Sequence, residues 1–251
     1  KFITLNVQHG GKLMDRILEF IKEERPDILF LQEAQESKDI TEIPRFNTKH
    51  ELQKNLLFPY YLFAPHYEVV VKGIRVLHGN AILSNYPLRM LGQIYFDSFF
   101  ERVDHSAMDE AGDYSKLPHS MLCAEATVAD SKINLFNVHG LWDKHGKDTD
   151  RRSQLSRTIA EAIRNKPNCI LSGDFNLNPD TEAIHNIEKY LTSVFGLSLE
   201  STFNMKRKTD PGFATAVVDQ VFVSGTFRVL SRRCPSVDIS DHLPLVCELE
   251  L

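Results

Sequence analysis

Residues 171–180 read LSGDFNLNPD, and the fold is best approached from this stretch. It opens as the end of an apolar, strand-like run. It then presents a glycine, a carboxylate, an aromatic ring and an amide at the consecutive positions 173–176. A strand followed by a turn accounts for these residue types, because Gly, Asp, Asn and Pro all favour turns. The alternative is a strand end that holds two oxygen-bearing side chains over a reaction site.

The segment that precedes this stretch has a counterpart near the N-terminus. Apolar residues at helical spacing mark one helix face in each: Leu13, Ile17, Phe20 and Ile21 in the first, Leu155, Ile159, Ala162 and Ile163 in the second. Pro26 and Pro167 end the two helices, and short apolar runs of buried-strand type follow at 28–31 and 169–171. Each run leads to a carboxylate, Glu33 or Asp174. The chain therefore makes the same helix, proline, strand and carboxylate pattern twice.

Further strand-like runs surround these two units. They cover 2–7, 79–84, 89–96, 120–129, 132–140, 217–225, 227–233 and 243–251, and a further helix is predicted around 181–195. This order fits two mixed sheets covered by helices. No linker rich in Gly, Ser or Pro interrupts the chain, so we expect a single domain over residues 1–251.

Composition excludes some classes of protein. The 251 residues are 42% hydrophobic and carry a net charge of −5, so overall basicity gives no argument for nucleic acid binding. No apolar run approaches the ~18–20 residues of a membrane-spanning helix. The four cysteines lack metal-ligand spacing and predict free thiols in a reducing, cytoplasmic compartment. The first residue is Lys1 rather than Met, so the natural N-terminus, with any signal peptide, can lie upstream.

Polar side chains recur where the predicted strands end. They are Asn6, Gln8, Glu33, His139, Asp174, Asn176, Asp219, Asp241 and His242. Several strands that end in Asp, Glu, Asn or His are typical of a site for a hard cation such as Mg²⁺, which prefers oxygen ligands and keeps part of its shell for substrate phosphate. Histidines beside such carboxylates add proton transfer near neutral pH.

Seven motifs, in this order along the chain, resemble those of the endonuclease/exonuclease/phosphatase superfamily. They are LNV, LFLQE, GNAILSNYPL, NVHG, SGDFN, VVDQVFVS and SDHLPLV. The resemblance spans residues 2–249, nearly the whole chain. The resemblance implies an α/β fold, a four-layer α/β/β/α sandwich with two packed mixed β-sheets. It also implies hydrolysis of phosphoester bonds with Mg²⁺ or Mn²⁺ as cofactor.

The resemblance also implies roles for individual residues. Glu33 corresponds to the main metal ligand, with Asn6 and Asp241 beside it. The catalytic set comprises His139, Asp174, Asn176, Asp219 and His242. Within it, Asp174 orients or deprotonates the attacking water, Asp219 fixes the tautomer of His242, and His139 is a second phosphate-binding or acid histidine. Substrate-binding positions are Asn80, Arg151 and Asn176.

The substrate is left open between two classes. A nuclease or nucleic-acid end-processing phosphodiesterase, acting as a monomer, is the first expectation. A phosphoesterase acting on a phospholipid or a small phosphorylated metabolite is the second, and a phosphate-binding scaffold without activity is a third. Two long loops, residues 97–120 and 142–152, are predicted to border the mouth of the site, because long loops in a compact domain are often functional.

Overall fold

The computed structural model describes residues 1–39, 41, 43–56, 58–104, 110 and 113–251. His105 and Asp109, two of the polar residues in the loop predicted to border the site, lie outside this part of the chain. The helices of the described residues are α1 (Met14–Glu24), α2 (Thr48–Leu56), α3 (Asp150–Ile163) and α4 (Glu182–Glu188). None of the helices in these ranges is long and apolar enough to cross a membrane.

The first sheet has seven strands in the spatial order β12-β13-β1-β2-β4-β3-β6. Their bounds are β1 Phe2–Asn6, β2 Ile28–Ser37, β3 Tyr60–Val71, β4 Ile74–Ser84, β6 Glu101–Val103, β12 Arg228–Arg233 and β13 Leu245–Glu250. The pairs β1–β2 and β3–β6 are parallel and the others antiparallel, so this sheet is mixed.

The second sheet has six strands in the order β10-β11-β9-β8-β7-β5. Their bounds are β5 Leu88–Tyr95, β7 Ser120–Val128, β8 Ser131–His139, β9 Cys169–Asp174, β10 Thr192–Ser193 and β11 Asp219–Val223. Its single parallel pair among these strands, β8–β9, is joined by α3, as a parallel connection requires.

Strand alternation divides the core into layers. On β1, Phe2 packs between the two sheets, whereas Ile3 faces α1 and shares a cluster with Ile17 of that helix. On β9, Ile170 packs between the sheets and Leu171 packs outward against α3 and α4. Both sheets are therefore covered by helices on their outer faces and packed together on their inner faces. This confirms the four-layer α/β/β/α sandwich.

The local predictions differ from the structure at several elements. The two strands that follow the proline stops were predicted to be shorter than β2 and β9 are, because their polar ends broke the apolar pattern. The predicted helix at 181–195 was too long, since α4 ends at Glu188 and β10 follows. The strand β3 and the helix α2 were not predicted. All four cysteines are free thiols, three of them buried and Cys234 partly exposed.

Candidate active site

The register of the second sheet aligns three of the predicted catalytic side chains. His139 at the end of β8 lies beside Asp174 at the end of β9, and Asp174 lies opposite Asp219 at the start of β11. All three side chains follow the alternation that faces the first sheet, because Leu135, Ile170 and Val221 on the same strands pack between the sheets. The strand ends therefore carry a row of polar side chains into the seam between the two layers.

The opening motif is explained by close approach of backbones. A Cβ atom at Gly173, where φ is +143°, would lie 2.0 Å from the carbonyl oxygen of Val138. A Cβ atom at Gly140 would similarly meet the carbonyl oxygen of Phe175 at 2.1 Å. Phe175 is fully buried and packs edge-on against Phe222. Glycine allows β8 and β9 to approach, and Phe175 anchors the strand end, so Asp174 is held in the site.

Three polar side chains converge on one oxygen of Asp174. The amide Nδ2 of Asn6 donates to Asp174 Oδ2 at 3.1 Å. The Nε2 atoms of His139 and His242 each lie 3.8 Å from the same Oδ2. The other oxygen, Oδ1, accepts the backbone N–H of Asn176 at 2.9 Å. Asn6 and His242 belong to the first sheet and its connections, so the site is assembled from both layers.

Asp219 and His242 form a buried pair. His242 Nδ1 lies 2.8 Å from Asp219 Oδ2, and the backbone N–H of Asp219 donates to Thr202 Oγ1 at 3.2 Å. Burial alone would lower the pKa of the His242 imidazole, but Asp219 and Asp174 raise it to about 10. His242 is therefore charged at neutral pH, with Nδ1 directed to Asp219 and Nε2 directed toward Asp174.

Glu33 lies at an irregularity in the first sheet. The β2–β4 register shifts between Leu31 and Ala34, and Glu33 has a positive φ of 60°. A bulge of this kind re-aims a side chain. The Oε1 atom of Glu33 accepts from Asn6 Nδ2 at 3.0 Å. Burial would raise the pKa of the Glu33 carboxyl, but His9 and His78 hold it well below its usual value, so Glu33 is ionised.

His9 and His78 were not predicted as site residues. His9 Nδ1 and His78 Nε2 lie 3.8 Å and 3.7 Å from Glu33 Oε2, and the backbone N–H of His9 donates to that oxygen at 2.7 Å. Residues 8–11 all have positive φ, and this left-handed turn brings His9 against Glu33. The sequence signal was weak, because His78 lies inside β4 rather than at a strand end. Only the run of two glycines after His9 hinted at an unusual turn.

His139 is surrounded by further buried histidines. Its ring centroid lies 4.6 Å from that of His119 and 5.6 Å from that of His66. Burial lowers the pKa of His119 to about 4, and burial together with His119 lowers the pKa of His139 well below its usual value. The imidazole of His139 is therefore neutral at pH 7, in contrast to that of His242.

Asp241 is paired with a lysine. Lys208 Nζ lies 2.9 Å from Asp241 Oδ2, and Ser240 Oγ donates to Asp241 Oδ1 at 3.3 Å. Lys208 also lies over the rings of Phe203 and Phe213, and Phe203 packs on the ring of His242. Asp241 thus belongs to the site, but its described oxygen contacts are to Lys208 and Ser240.

The side chain of Asn80 is buried between the two sheets. Its Nδ2 donates to the backbone carbonyls of Ser120 and Asn137, at 3.1 Å and 2.9 Å, and its side chain is fully buried. Asn137 in turn accepts from Gln32 Nε2 at 2.7 Å. These amides link the two sheets directly beneath the site. In the described contacts Asn80 holds the sheets together, and its predicted role in substrate binding stays a prediction.

Arg151 and Arg152 differ sharply although they are adjacent. Arg151 is exposed, pairs with Asp97 and donates to the carbonyl of Ser115. Arg152 is fully buried and donates to the carbonyls of residues 141, 143 and 147, at 3.2, 2.9 and 2.7 Å. Arg152 therefore shapes the loop that follows His139. Through Arg151, the described parts of the two loops predicted to border the site contact each other.

The side chain of Asn176 reaches from its own loop to the neighbouring one. Its φ is 54° and its Nδ2 donates to the carbonyl of Gly140 at 3.0 Å. The contact joins the loop after β8 to the loop after β9, next to Asp174.

The donor set near Glu33 fits a divalent cation. Glu33 supplies an ionised carboxylate. The side-chain amide of Asn6 adjoins it, with Nδ2 donating to Glu33 Oε1 and Oδ1 accepting the backbone N–H of Gln8 at 3.0 Å. Carboxylate and amide oxygens are the ligands that Mg²⁺ and Mn²⁺ take in proteins, with water and phosphate completing the shell. Glu33 and Asn6 are therefore the residues that would hold such an ion.

Solved structures share this architecture. An endonuclease/exonuclease/phosphatase from Beutenbergia cavernae superposes with a TM-score of 0.72 at 18% identity, covering 100% of this chain and 71% of that one. TDP2 from D. rerio, complexed with single strand DNA product, gives 0.66 at 19% identity, over 100% and 98%. A mannosyl-6-phosphatase from Bacteroides thetaiotaomicron gives 0.65 at 17% identity, over 100% and 99%. At these identities the likeness establishes the fold.

Among curated proteins, none matches the sequence. The family model of the Endonuclease/Exonuclease/phosphatase family matches residues 3–242, nearly the whole chain. That match includes every residue of the predicted catalytic and metal sets, from Asn6 to His242. Two mixed sheets, a row of strand-end carboxylates and a family match of this length agree with one another. The chain belongs to the Endonuclease/Exonuclease/phosphatase family, whose members hydrolyse phosphoester bonds.

Proposed function

We propose that the chain is a divalent-metal-dependent phosphodiesterase that acts on nucleic acid, as a nuclease or as an enzyme that processes nucleic-acid ends. The observation that carries this proposal is the convergence on Asp174 Oδ2 of Asn6, His139 and His242, three side chains drawn from both sheets. A carboxylate oxygen surrounded by an amide and two imidazoles is suited to holding and deprotonating a water molecule beside a phosphate.

The two oxygens of Asp174 have separate tasks in this proposal. Oδ1 is fixed by the N–H of Asn176, which leaves Oδ2 to accept a proton from the attacking water. Burial raises the pKa of the Asp174 carboxyl, with Asp219 adding to the shift and His242 opposing it. A base with a pKa closer to neutrality is a better match for proton transfer at physiological pH.

His242 supplies the complementary charge. Asp219 holds Nδ1, so the Nε2–H of the charged ring is the group directed toward substrate, and it stabilises negative charge on a phosphorane-like transition state. His139, which is neutral, can accept or donate a hydrogen bond at a second phosphate oxygen. Glu33 and Asn6 would hold a divalent cation, and the chemistry that such an ion would supply is neutralisation of phosphate charge and stabilisation of the leaving oxygen.

A second candidate is a phosphoesterase for a small metabolite or phospholipid. One observation favours it: the predicted substrate-binding Arg151 is engaged by Asp97 and Ser115. A polyanion would then have one fewer cation to contact. The mannosyl-6-phosphatase with the same fold supports this alternative, and TDP2 with its DNA product supports the first.

A substrate panel with Mg²⁺ or Mn²⁺ tests the proposal. It comprises single- and double-stranded DNA, RNA, abasic DNA, 5′-tyrosyl DNA, sphingomyelin, a sugar phosphate and bis-p-nitrophenyl phosphate. We expect a nucleic acid to be hydrolysed with a higher kcat/KM than the small diester, and Asp174→Asn to abolish both activities. Turnover confined to the sugar phosphate or sphingomyelin would replace the first candidate with the second.

A further inference from the structure

The two oxygens of Glu33 face different surroundings. Oε1 faces Asn6 and the catalytic carboxylate Asp174, where a hard cation would be held. Oε2 faces away from Asn6, toward the rings of His9 and His78. The ligand atoms of Glu33, His9 and His78 all lie within 4.8 Å of one another. A single carboxylate thus adjoins two distinct groups of potential ligands.

His78 is the most informative member of this group. Its side chain is buried, and neither of its ring nitrogens has a hydrogen-bond partner among the residues that the structure describes. Tyr67 stacks on its ring with centroids 4.7 Å apart and planes at 11°, which fixes the direction of the ring. Leaving a buried polar group without a partner is energetically unfavourable, so such a group calls for an explanation. Its Nε2 is directed at Glu33 Oε2, 3.7 Å away.

We infer that Glu33, His9 and His78 form a second metal position, for a borderline first-row transition ion such as Zn²⁺. Two imidazoles and one carboxylate, with a further coordination position open, are the ligand set of catalytic zinc sites. Two ligands on a tetrahedral ion with bonds of about 2.1 Å lie about 3.4 Å apart. The separations of 3.7 and 3.8 Å approach this value.

The local backbone places His9 in this group. The left-handed turn at residues 8–11 directs the N–H of His9 to Glu33 Oε2 and the N–H of Gly10 to the Glu33 carbonyl, both at 2.7 Å. A Cβ atom at Gly10 would lie 2.1 Å from the carbonyl oxygen of Arg45, so only glycine allows the turn to lie this close. The turn therefore holds His9 against the same carboxylate oxygen that His78 approaches.

This inference deepens the proposed function, on which it rests. An ion at Oε2 would share Glu33 with the Mg²⁺ or Mn²⁺ position at Oε1, so the site would carry two cations on one bridging carboxylate. Imidazole ligands favour zinc and its neighbours, whereas Asn6 and water favour Mg²⁺. The two positions should therefore respond differently to loss of a histidine.

The test measures Zn²⁺ and Mg²⁺ binding to the full chain by titration calorimetry, with the visible absorption of Co²⁺ as a second readout. His78→Phe keeps the stacked ring and removes both nitrogens. His9→Asn keeps a residue type that tolerates positive φ. His185→Asn removes an exposed histidine on α4 that lies near Glu188, and serves as the matched control. Melting curves without metal establish that each variant is folded.

We expect the wild-type chain to bind Zn²⁺ and to give an intense Co²⁺ spectrum. Each site variant should bind Zn²⁺ at least about 100-fold more weakly, because loss of even an outer partner of a metal ligand typically costs about 10- to 100-fold. Mg²⁺ affinity should fall far less than Zn²⁺ affinity in the site variants, because Glu33 and Asn6 are retained. The control variant should bind both ions as the wild type does. Zn²⁺ binding that is absent from the wild type, or equal in wild type and both site variants, would overturn the inference. Intact zinc binding without hydrolysis of any phosphoester would instead contradict the proposed function.

Discussion

Glu33 and Asp174 end the same sequence pattern, yet the structure gives them opposite properties. Each follows a helix, a proline and a buried strand. Glu33 leaves the regular strand at a bulge, remains partly exposed and has a lowered pKa because histidines face it. Asp174 ends a regular strand, is buried and has a raised pKa because burial and Asp219 disfavour its charge.

Under the proposed function, this difference would suit Glu33 to bind a metal ion and Asp174 to act as a base. A metal ligand must be ionised over the working pH range, whereas a general base works best with a pKa near that range. Two carboxylates whose surroundings move their pKa values apart are typical of a division of labour at an active site. The comparison teaches that position in a repeated motif did not determine the role, and that the neighbouring side chains did.

The largest expected effects come from neutralising each of these two carboxylates in a separate variant. Asp174→Asn removes the base while preserving shape, and kcat should fall by about 10⁴, the upper range for a positioned base. Glu33→Gln should instead weaken the dependence on Mg²⁺ and Mn²⁺, raising the metal concentration needed for half-maximal rate. Steady-state kinetics across a metal titration separates the two.

The control for this pair is Asp180→Asn, an exposed carboxylate six residues beyond Asp174. It should leave both kcat and the metal dependence unchanged. The comparison fails if Asp174→Asn and Glu33→Gln produce the same kinetic pattern, or if full activity persists in excess chelator.

The next largest effect concerns the buried pair of Asp219 and His242, which lies beside Asp174. His242→Ala should lower turnover by about 10²–10⁴-fold, and Asp219→Asn by a similar or smaller factor. Residues that act as a unit do not contribute additively, so the double variant should be little worse than His242→Ala. Turnover is measured beside a melting curve for all three variants. Multiplicative losses, or normal rates in destabilised proteins, would show that the two residues are not a catalytic unit.

A third test compares Arg152, which shapes the loop after His139, with Arg151, which is predicted to contact substrate. Arg152→Ala removes a buried guanidinium with three carbonyl partners and should destabilise the fold by about 3 kcal/mol or more, since hydrogen bonds to charged groups contribute about 1.5–3 kcal/mol each. Arg151→Ala should change stability by less than about 1 kcal/mol, as exposed ion pairs do. Urea unfolding measures both.

Arg151→Ala also tests the predicted loop contact with substrate. If Arg151 exchanges Asp97 for phosphate, the variant should lose more kcat/KM on DNA than on bis-p-nitrophenyl phosphate, and the loss should shrink as salt rises. Equal losses on both substrates would remove Arg151 from the substrate-binding set.

The last test concerns the pH dependence of stability that arises from the buried His119, which packs against His139. The pKa of His119 is about 4 in the folded chain and about 6.5 when exposed, because burial opposes its charge. Its contribution to stability is thus present above pH 6.5 and is lost as the pH falls toward 4. One pKa unit corresponds to about 1.4 kcal/mol, so the loss should reach about 3 kcal/mol.

Unfolding free energies at pH 7.5, 6 and 5 measure this loss. His119→Asn can still donate to the Leu117 carbonyl but does not titrate, so its stability should fall less steeply with acid. Equal slopes for variant and wild type would assign the acid sensitivity to other groups.

Sequence patterns predicted the framework and most of the row of polar side chains at the strand ends. The repeated helix, proline and strand were visible because buried faces leave periodic apolar residues, and Asp174, Asp219 and His139 followed from strand ends. The bulge at Glu33 and the approach of His78 depend on contacts between β2 and β4, which no local pattern encodes. The sequence did not distinguish the exposed Arg151 from the buried Arg152. Which of two adjacent helical residues faces the protein interior depends on how the helix packs.

The amide contacts between the sheets have a consequence for how activity arises. Asn6 and Asp174 are 168 residues apart and meet only when the two layers dock, with Gln32, Asn137 and Asn80 fixing the docking beneath them. Neither sheet alone contains both Asn6 and Asp174. If the proposed function holds, the site would therefore be completed only when the two sheets dock, and an unfinished chain would lack the proposed activity.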